Sequence, residues 1–219
     1  MKRCIAYAAA LLISTSVSHA FAYEKGDVVL RAGLSTAAPS EDSGNVIVDG
    51  AETPMSVSVD NNTQLGLNVV YVLNPNWAIE LLAATPFAHT INLENSGIDG
   101  ELADVTHLPP TLSALYFFAG SESKIQPYAG LGLNYTIFFD ESFKSEREPT
   151  FSNLELDSSF GLAVQAGFDY MLNDNWMING SIRYISISTT ANFNVGASAA
   201  SVDVDIDPWV YTLSAGYKF

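Results

Sequence analysis

Apolar and polar side chains alternate along most of this chain. In the last stretch Trp209, Tyr211, Leu213, Ala215, Tyr217 and Phe219 share one parity, and Val210, Thr212, Ser214, Gly216 and Lys218 the other. A strand sends successive side chains to opposite faces, so the stretch predicts a strand with one aromatic and aliphatic face and one small or polar face. Phe160, Leu162, Val164, Ala166, Phe168, Tyr170 and Leu172 stand in the same way against Gly161, Ala163, Gln165, Gly167 and Asp169. Ala129, Leu131, Leu133, Tyr135 and Ile137 oppose Gly130, Gly132, Asn134 and Thr136. Further strands are predicted at Leu65–Leu73 against Gln64, Gly66 and Asn68, at Trp77–Ala83 against Glu80, and at Trp176–Tyr184 against Asn179, Ser181 and Arg183. Val28, Leu30 and Ala32 oppose Arg31, and Leu112 to Phe118 is the eighth strand.

A sheet in water turns its apolar face inward. Here the opposite face is rich in Gly, Ser, Asn and Gln and carries Arg31, Glu80, Asp169, Arg183 and Lys218. Small and polar residues inside with broad aromatics outside describe an inside-out barrel whose apolar face meets lipid. Lipid satisfies no free sheet edge, so the sheet must close. The spacing of connections points the same way. Leu73-Asn74-Pro75-Asn76-Trp77, Leu172-Asn173-Asp174-Asn175-Trp176 and Gly120-Ser121-Glu122-Ser123-Lys124 are tight turns. The alternate connections, roughly residues 35–63, 87–106, 139–152 and 190–202, are long and hold most of the acidic residues. The fold class expected is all-β: an eight-stranded antiparallel transmembrane β-barrel with short periplasmic turns and long extracellular loops. Beyond Tyr184 the apolar parity switches to Ile185 and Ile187, which reads either as a bulge or as an apolar upper lumen.

Composition narrows the classes. The 219 residues carry 9 Lys+Arg against 24 Asp+Glu, a net charge of −15, which argues against nucleic-acid binding. Only 15% are charged and the mean hydropathy is +0.17, too apolar for disorder or for an ordinary acidic soluble protein. After residue 22 no window of about 18 to 20 apolar residues remains, so helical spans are excluded. Lys2 and Arg3, the apolar run from Cys4 to Leu12 and Ala20-Phe21-Ala22 read as a secretory signal peptide over 1–22, leaving a barrel over 23–219. Cys4 lies in the removed segment, so the exported chain has no cysteine. Such a chain belongs in the outer membrane of a Gram-negative bacterium, among lipid and lipopolysaccharide.

Candidate chemistry is sparse. Arg31, Glu80, Asp169, Arg183 and Lys218 read either as a selective ionic channel or, preferably, as a salt-bridged plug of the lower lumen, because an eight-stranded barrel is just wide enough for its own side chains. Pro109 and Pro110 cannot donate to a ladder, and read equally as a lateral opening or as a plain start of a strand. Val202-Asp203-Val204-Asp205-Ile206-Asp207 puts three carboxylates on one face without the Gly and Glu of a calcium loop, and reads as a solvated acidic rim. His89 and His107 do not by themselves make a metal site or a nucleophile pair. No enzyme activity, metal or cofactor is expected.

Several motifs together resemble one family. Asn61-Asn62-Thr63-Gln64-Leu65-Gly66-Leu67, Glu80-Leu81-Leu82-Ala83-Ala84-Thr85-Pro86-Phe87 and His107-Leu108-Pro109-Pro110-Thr111-Leu112 are similar to the outer membrane protein W (OmpW) family. So are Pro127-Tyr128-Ala129-Gly130 with Gly132-Leu133-Asn134-Tyr135, and Asp207-Pro208-Trp209-Val210 with the ending Ser214-Ala215-Gly216-Tyr217-Lys218-Phe219. The resemblance implies a barrel that extends beyond the bilayer, an apolar lumen, and passive inward passage of small hydrophobic molecules, with release through the wall proposed for some members. It also implies a Leu and a Trp that narrow the lumen. The Leu maps to Leu82, whereas the Trp position holds Arg183, a charge in place of an aromatic. Leu115 and Phe117 are expected beside Leu82 in the upper barrel. The leading function is therefore a channel for small apolar solutes. The alternative is a structural or surface-interaction protein with a closed lumen, whose acidic loops meet cations, lipopolysaccharide or external agents.

Overall fold

The computed structural model describes residues 23–40, 42–119 and 123–219. The signal peptide expected over 1–22 and residues 120–122 of the expected third turn lie outside the described residues. Eight strands form the wall: β1 (Val28–Ala38), β2 (Asn62–Asn74), β3 (Trp77–Ala84), β4 (Thr111–Phe117), β5 (Ile125–Phe143), β6 (Ser159–Met171), β7 (Trp176–Ile185) and β8 (Trp209–Lys218). Each pairs antiparallel with the next, and β8 returns to β1 from Val29↔Lys218 to Ala38↔Trp209, closing the barrel. All eight expected strands are present, with ends shifted by a few residues.

The expected faces hold. Outward Leu131, Leu133, Phe160, Leu162 and Leu213 are half or more exposed, while Arg31, Glu80, Asn134, Asp169 and Arg183 are buried inside. Aromatic pairs mark both rims of the apolar belt: Trp77–Tyr116 and Trp176–Tyr217 at the turn end, Tyr184–Trp209 at the other. Such girdles suit the two membrane–water interfaces. The lumen is narrow. A Cβ on Gly216 would lie 2.7 Å from Met177 Cγ and 3.1 Å from Arg31 Cγ, so the large inward side chains require glycine opposite them.

The two Asn-rich turns use one device twice. Asn74 Oδ1 accepts from the backbone N–H groups of Asn76 and Trp77, and Asn173 Oδ1 from those of Asn175 and Trp176. These side chains mimic a backbone turn. The second Asn of each turn then donates through Nδ2 to the last carbonyls of the adjacent strand, Asn76 to Phe117 at 3.0 Å and Asn175 to Lys218 at 2.9 Å. Each turn thus seals its own side of the wall.

The long connections correct one expectation. Much of what alternation left as loops is strand that continues the wall outward: Phe87–Glu94 with Gly100–Leu108, and Ser188–Val195 with Ser198–Asp205, are antiparallel hairpins. One sheet joins Ser56–Val59, the first hairpin and the upper part of β5; the other joins Phe151–Leu156, the second hairpin and the short strands Ile47–Val48 and Ala51–Glu52. Asp42–Ser43 pairs beside them. These strands went unread because their outward face is acidic and polar, which resembles a loop when counted by charge alone.

Candidate functional site

Inside the membrane belt the lumen is filled by charge. Arg31 bonds Asp169 at 2.5 Å and Glu80 at 3.2 Å, and Arg183 bonds Glu80 at 2.5 Å, with all four side chains essentially unexposed. Two guanidinium groups against two carboxylates leave no net charge. Neutral partners take further lone pairs: Gln165 Nε2 and Asn68 Nδ2 donate to Glu80 at 2.8 and 3.3 Å, and Asn179 Nδ2 donates to Asp169 at 2.9 Å. Gln165 Oε1 in turn accepts from Arg183 at 2.7 Å. The Tyr23 hydroxyl donates to Asp169 from below, and Arg31 lies 5.3 Å over the Tyr128 ring. A buried charge persists only when paired and hydrogen-bonded in this way. Beneath the ions Tyr23, Val29, Val70, Val72, Ala78, Leu115, Phe117, Met171 and Met177 pack into an apolar floor.

The sequence-predicted residues fall into four groups. Arg31, Glu80, Asp169 and Arg183 come together as one ionic layer, so Arg183, which holds the position that the resemblance gives to a narrowing Trp, belongs with the plug. Lys218 is not part of it. It sits at the periplasmic end, 3.7 Å from Asp27, because it closes β8 beside the chain's first turn. Leu115 and Phe117 are corrected in height. They face inward, but β4 descends from Thr111 at the outer side to Phe117 at the turn end, which puts them below the ions. Leu82 does face inward, one inward position above Glu80 on β3, and covers the ionic layer from above.

Above the ions the interior becomes apolar. The two extracellular sheets face each other across a cavity of about 50 Å³ lined by residues such as Val57, Leu102, Val105, Phe143, Phe193 and Val204. A second cavity of about 20 Å³ continues downward, sharing Val59, Ile91, Val105, Leu156 and Ile206 with the first and adding His89, His107 and Phe138. Ile185 and Ile187 are both buried and inward, so the parity switch after Tyr184 marks an apolar upper lumen and not a bulge. The sequence reading offered an apolar upper lumen as one alternative at Ile185 and Ile187 but did not name the extracellular residues that line it, although Val202, Val204 and Ile206 on the inward parity of Val210 and Thr212 carried the signal. Of the three carboxylates beside them, Asp203 and Asp205 face outward, while Asp207 accepts from the Tyr184 hydroxyl and from Ile187 N at the corner.

The wall breaks next to the foot of the column. The β3–β4 ladder stops at Leu82↔Thr111, and pairing resumes only at Phe87↔His107. Pro110 O accepts from Tyr135 N on β5 at 3.1 Å, so by alternation the Pro109 nitrogen faces β3. Thr85 N donates to Leu65 O on β2 at 2.9 Å, so Pro86 faces β4. Two successive rungs where ladder bonds would form therefore lack their N–H, one on each strand, and the register shifts by one residue across them, from Leu82↔Thr111 to Phe87↔His107. The sequence reading named Pro109 and Pro110 but missed Pro86, the partner that makes the gap two-sided. Just below, outward Leu81 and Leu112 pair across the wall at the level of lipid.

Comparison with known proteins places this architecture. A family model described as the OmpW family matches residues 24–219. Outer membrane protein W of Vibrio cholerae is 44% identical over 96% of both chains. The crystal structure of the outer membrane protein OprG from Pseudomonas aeruginosa superposes with a TM-score of 0.89 at 42% identity, covering 91% of this chain and 99% of that one. The outer membrane protein AlkL of Ectopseudomonas oleovorans is 28% identical over 90% of this chain and 84% of its own.

Proposed function

The chain belongs to the OmpW family and is an outer-membrane barrel, and from that premise we propose that it admits small apolar solutes from outside and releases them sideways into the membrane. One observation carries the reading: the apolar column ends downward on a charged, filled layer but sideways on an unpaired stretch of wall. An apolar molecule gains nothing from entering the ionic layer, which would have to give up paired hydrogen bonds to make room. It meets no such cost at the gap, beyond which lie Leu81, Leu112 and lipid. The process needs no energy source, because transfer from water to column to bilayer is downhill for apolar surface.

The filled lower lumen also suits the second reading, a closed barrel that acts through its outer surface. Uptake separates them. Liposomes bearing the refolded barrel take up a small apolar fluorescent probe faster than empty ones, with saturation, and Leu82→Asp, which places a charge at the foot of the column, abolishes the gain. Equal uptake with and without the barrel overturns transport and leaves the acidic outer surface as the functional part.

A further inference from the structure

The foot of the column holds a polar group with nothing to bind. His107 is 5% exposed and its ring lies between Phe87 at 5.6 Å, His89 at 5.0 Å and Phe138 at 5.8 Å, nearly parallel to the first two. His89 is engaged: its Nδ1 donates to the Asp60 carbonyl at 2.6 Å. His107 has no hydrogen-bond partner among the described residues, yet its ring lines the lower cavity. Burial, with a smaller contribution from His89, lowers its pKa to about 3, so at neutral pH it is an uncharged imidazole with one unused N–H donor and one unused acceptor. Its ring nitrogens are not among the fully buried unpartnered atoms, so they keep surface that a group entering the cavity can reach.

We propose that His107 is a recognition residue for apolar solutes that carry a single uncharged hydroxyl, with the hydroxyl in the lower cavity and the apolar body in the column, whose about 50 Å³ widens as the two facing sheets part around it. The inference rests on the column's being the solute site. A hydroxyl suits the imidazole because it donates and accepts at once. The lower cavity, at about 20 Å³, has room for one such group and little more. Charged heads are excluded: the lining holds no counter-charge, and neutral His107 supplies none. The flat ladder of Phe87, His107 and His89 favours an aromatic body, so a phenol is the fitting representative.

The test uses p-cresol and toluene, which differ by one hydroxyl, titrated into the full barrel in lipid nanodiscs and referenced to empty nanodiscs. After residue 22 the chain contains only His89 and His107, so imidazole ¹⁵N signals report the site directly. p-Cresol binds about tenfold more tightly than toluene, the factor that one net hydrogen bond supplies, and shifts the His107 ring nitrogens. His107→Phe binds p-cresol no more tightly than toluene; His107→Gln, with a donor and an acceptor, regains part of the preference. Toluene bound as tightly as p-cresol, or a preference that survives His107→Phe, overturns the assignment while leaving the column as a solute site. Absence of toluene binding overturns both.

Discussion

The part of the barrel inside the membrane and the part outside it follow one another along the same chain segments but have opposite interiors. Within the belt Arg31, Glu80, Asp169 and Arg183 face inward while Leu131 and Phe160 face outward. Above it Val105, Phe143, Phe193 and Val204 face inward while Asp203, Asp205 and Glu155 face outward. The direction of the side chains does not flip: even residues point inward both in Ser198–Asp205 and in β8. What changes is the solvent outside. In lipid an apolar side chain is already among its own kind, so the narrow interior is free to be filled with polar groups, provided they satisfy one another. In water the apolar residues must be withdrawn, and the interior becomes an ordinary hydrophobic core. A solute meets this inversion as a boundary between a column that accepts it and a layer that rejects it.

The sharpest way to break the contrast is to remove the group that both arginines share. Glu80→Ala leaves Arg183 without its carboxylate and Arg31 with only Asp169, and a broken buried pair costs about 3–5 kcal/mol. A large drop in the urea midpoint of the lipid-embedded barrel is expected, together with ion conductance as water enters to solvate the arginines. Glu101→Ala, which removes an exposed partner of Lys144 in the extension, leaves the midpoint in place. An unchanged midpoint in Glu80→Ala would mean that the ionic layer is spare filling rather than the barrel's closure.

How far the sequence shows this depends on which solvent each residue answers to. The eight strands were legible because period-two alternation is strongest where lipid lies on one side, as at Leu131, Leu133 and Tyr135 against Gly132 and Asn134. The ionic layer was legible for the same reason, since Arg31, Glu80, Asp169 and Arg183 stand on the small, polar parity. Heights were not. Nothing local tells Leu115 that it lies below the ions or Leu82 that it lies above; that follows from strand direction and register. Lys218 shares the inward parity, but its position at the end of the chain carries it past the layer. The extracellular strands were hidden by their acids, and the gap was half seen because Pro86 and Pro109 are far apart in sequence and come to its two sides only through the pairing of the flanking strands.

A weaker perturbation should act on the outer region alone. His107 has its pKa lowered to about 3 from 6.5, and burial lowers that of His89 as well. Between those values the unfolded extension binds more protons than the folded one, so its stability is complete above pH 6.5 and falls as pH drops toward 3. By pH 4 the loss at His107 is on the order of 3 kcal/mol. Native-state hydrogen exchange checks this: amides of Phe87–Glu94 and Gly100–Leu108 lose protection between pH 7 and pH 4 while those of β2 and β6 keep theirs. His107→Phe removes most of the difference. Equal loss in both regions would show that the extension does not open separately from the barrel.

The smallest effect concerns the passage between the regions. If Pro86 and Pro109 hold the gap open by withholding two donors, the double variant Pro86→Ala, Pro109→Ala supplies them across the one-residue register shift between Leu82↔Thr111 and Phe87↔His107. Each ladder bond gained is worth about 0.5–1.5 kcal/mol, so the wall opens less often and barrel-dependent uptake slows severalfold. Binding of toluene in the column is expected to stay as it was, because neither proline lines either cavity. That combination of outcomes matters, since slower release with unchanged binding distinguishes an exit from a binding site. Protection of the two new backbone amides against hydrogen exchange shows that the ladder has formed. Unchanged uptake in spite of that protection would remove the gap as the exit and leave solutes to depart by the mouth through which they came.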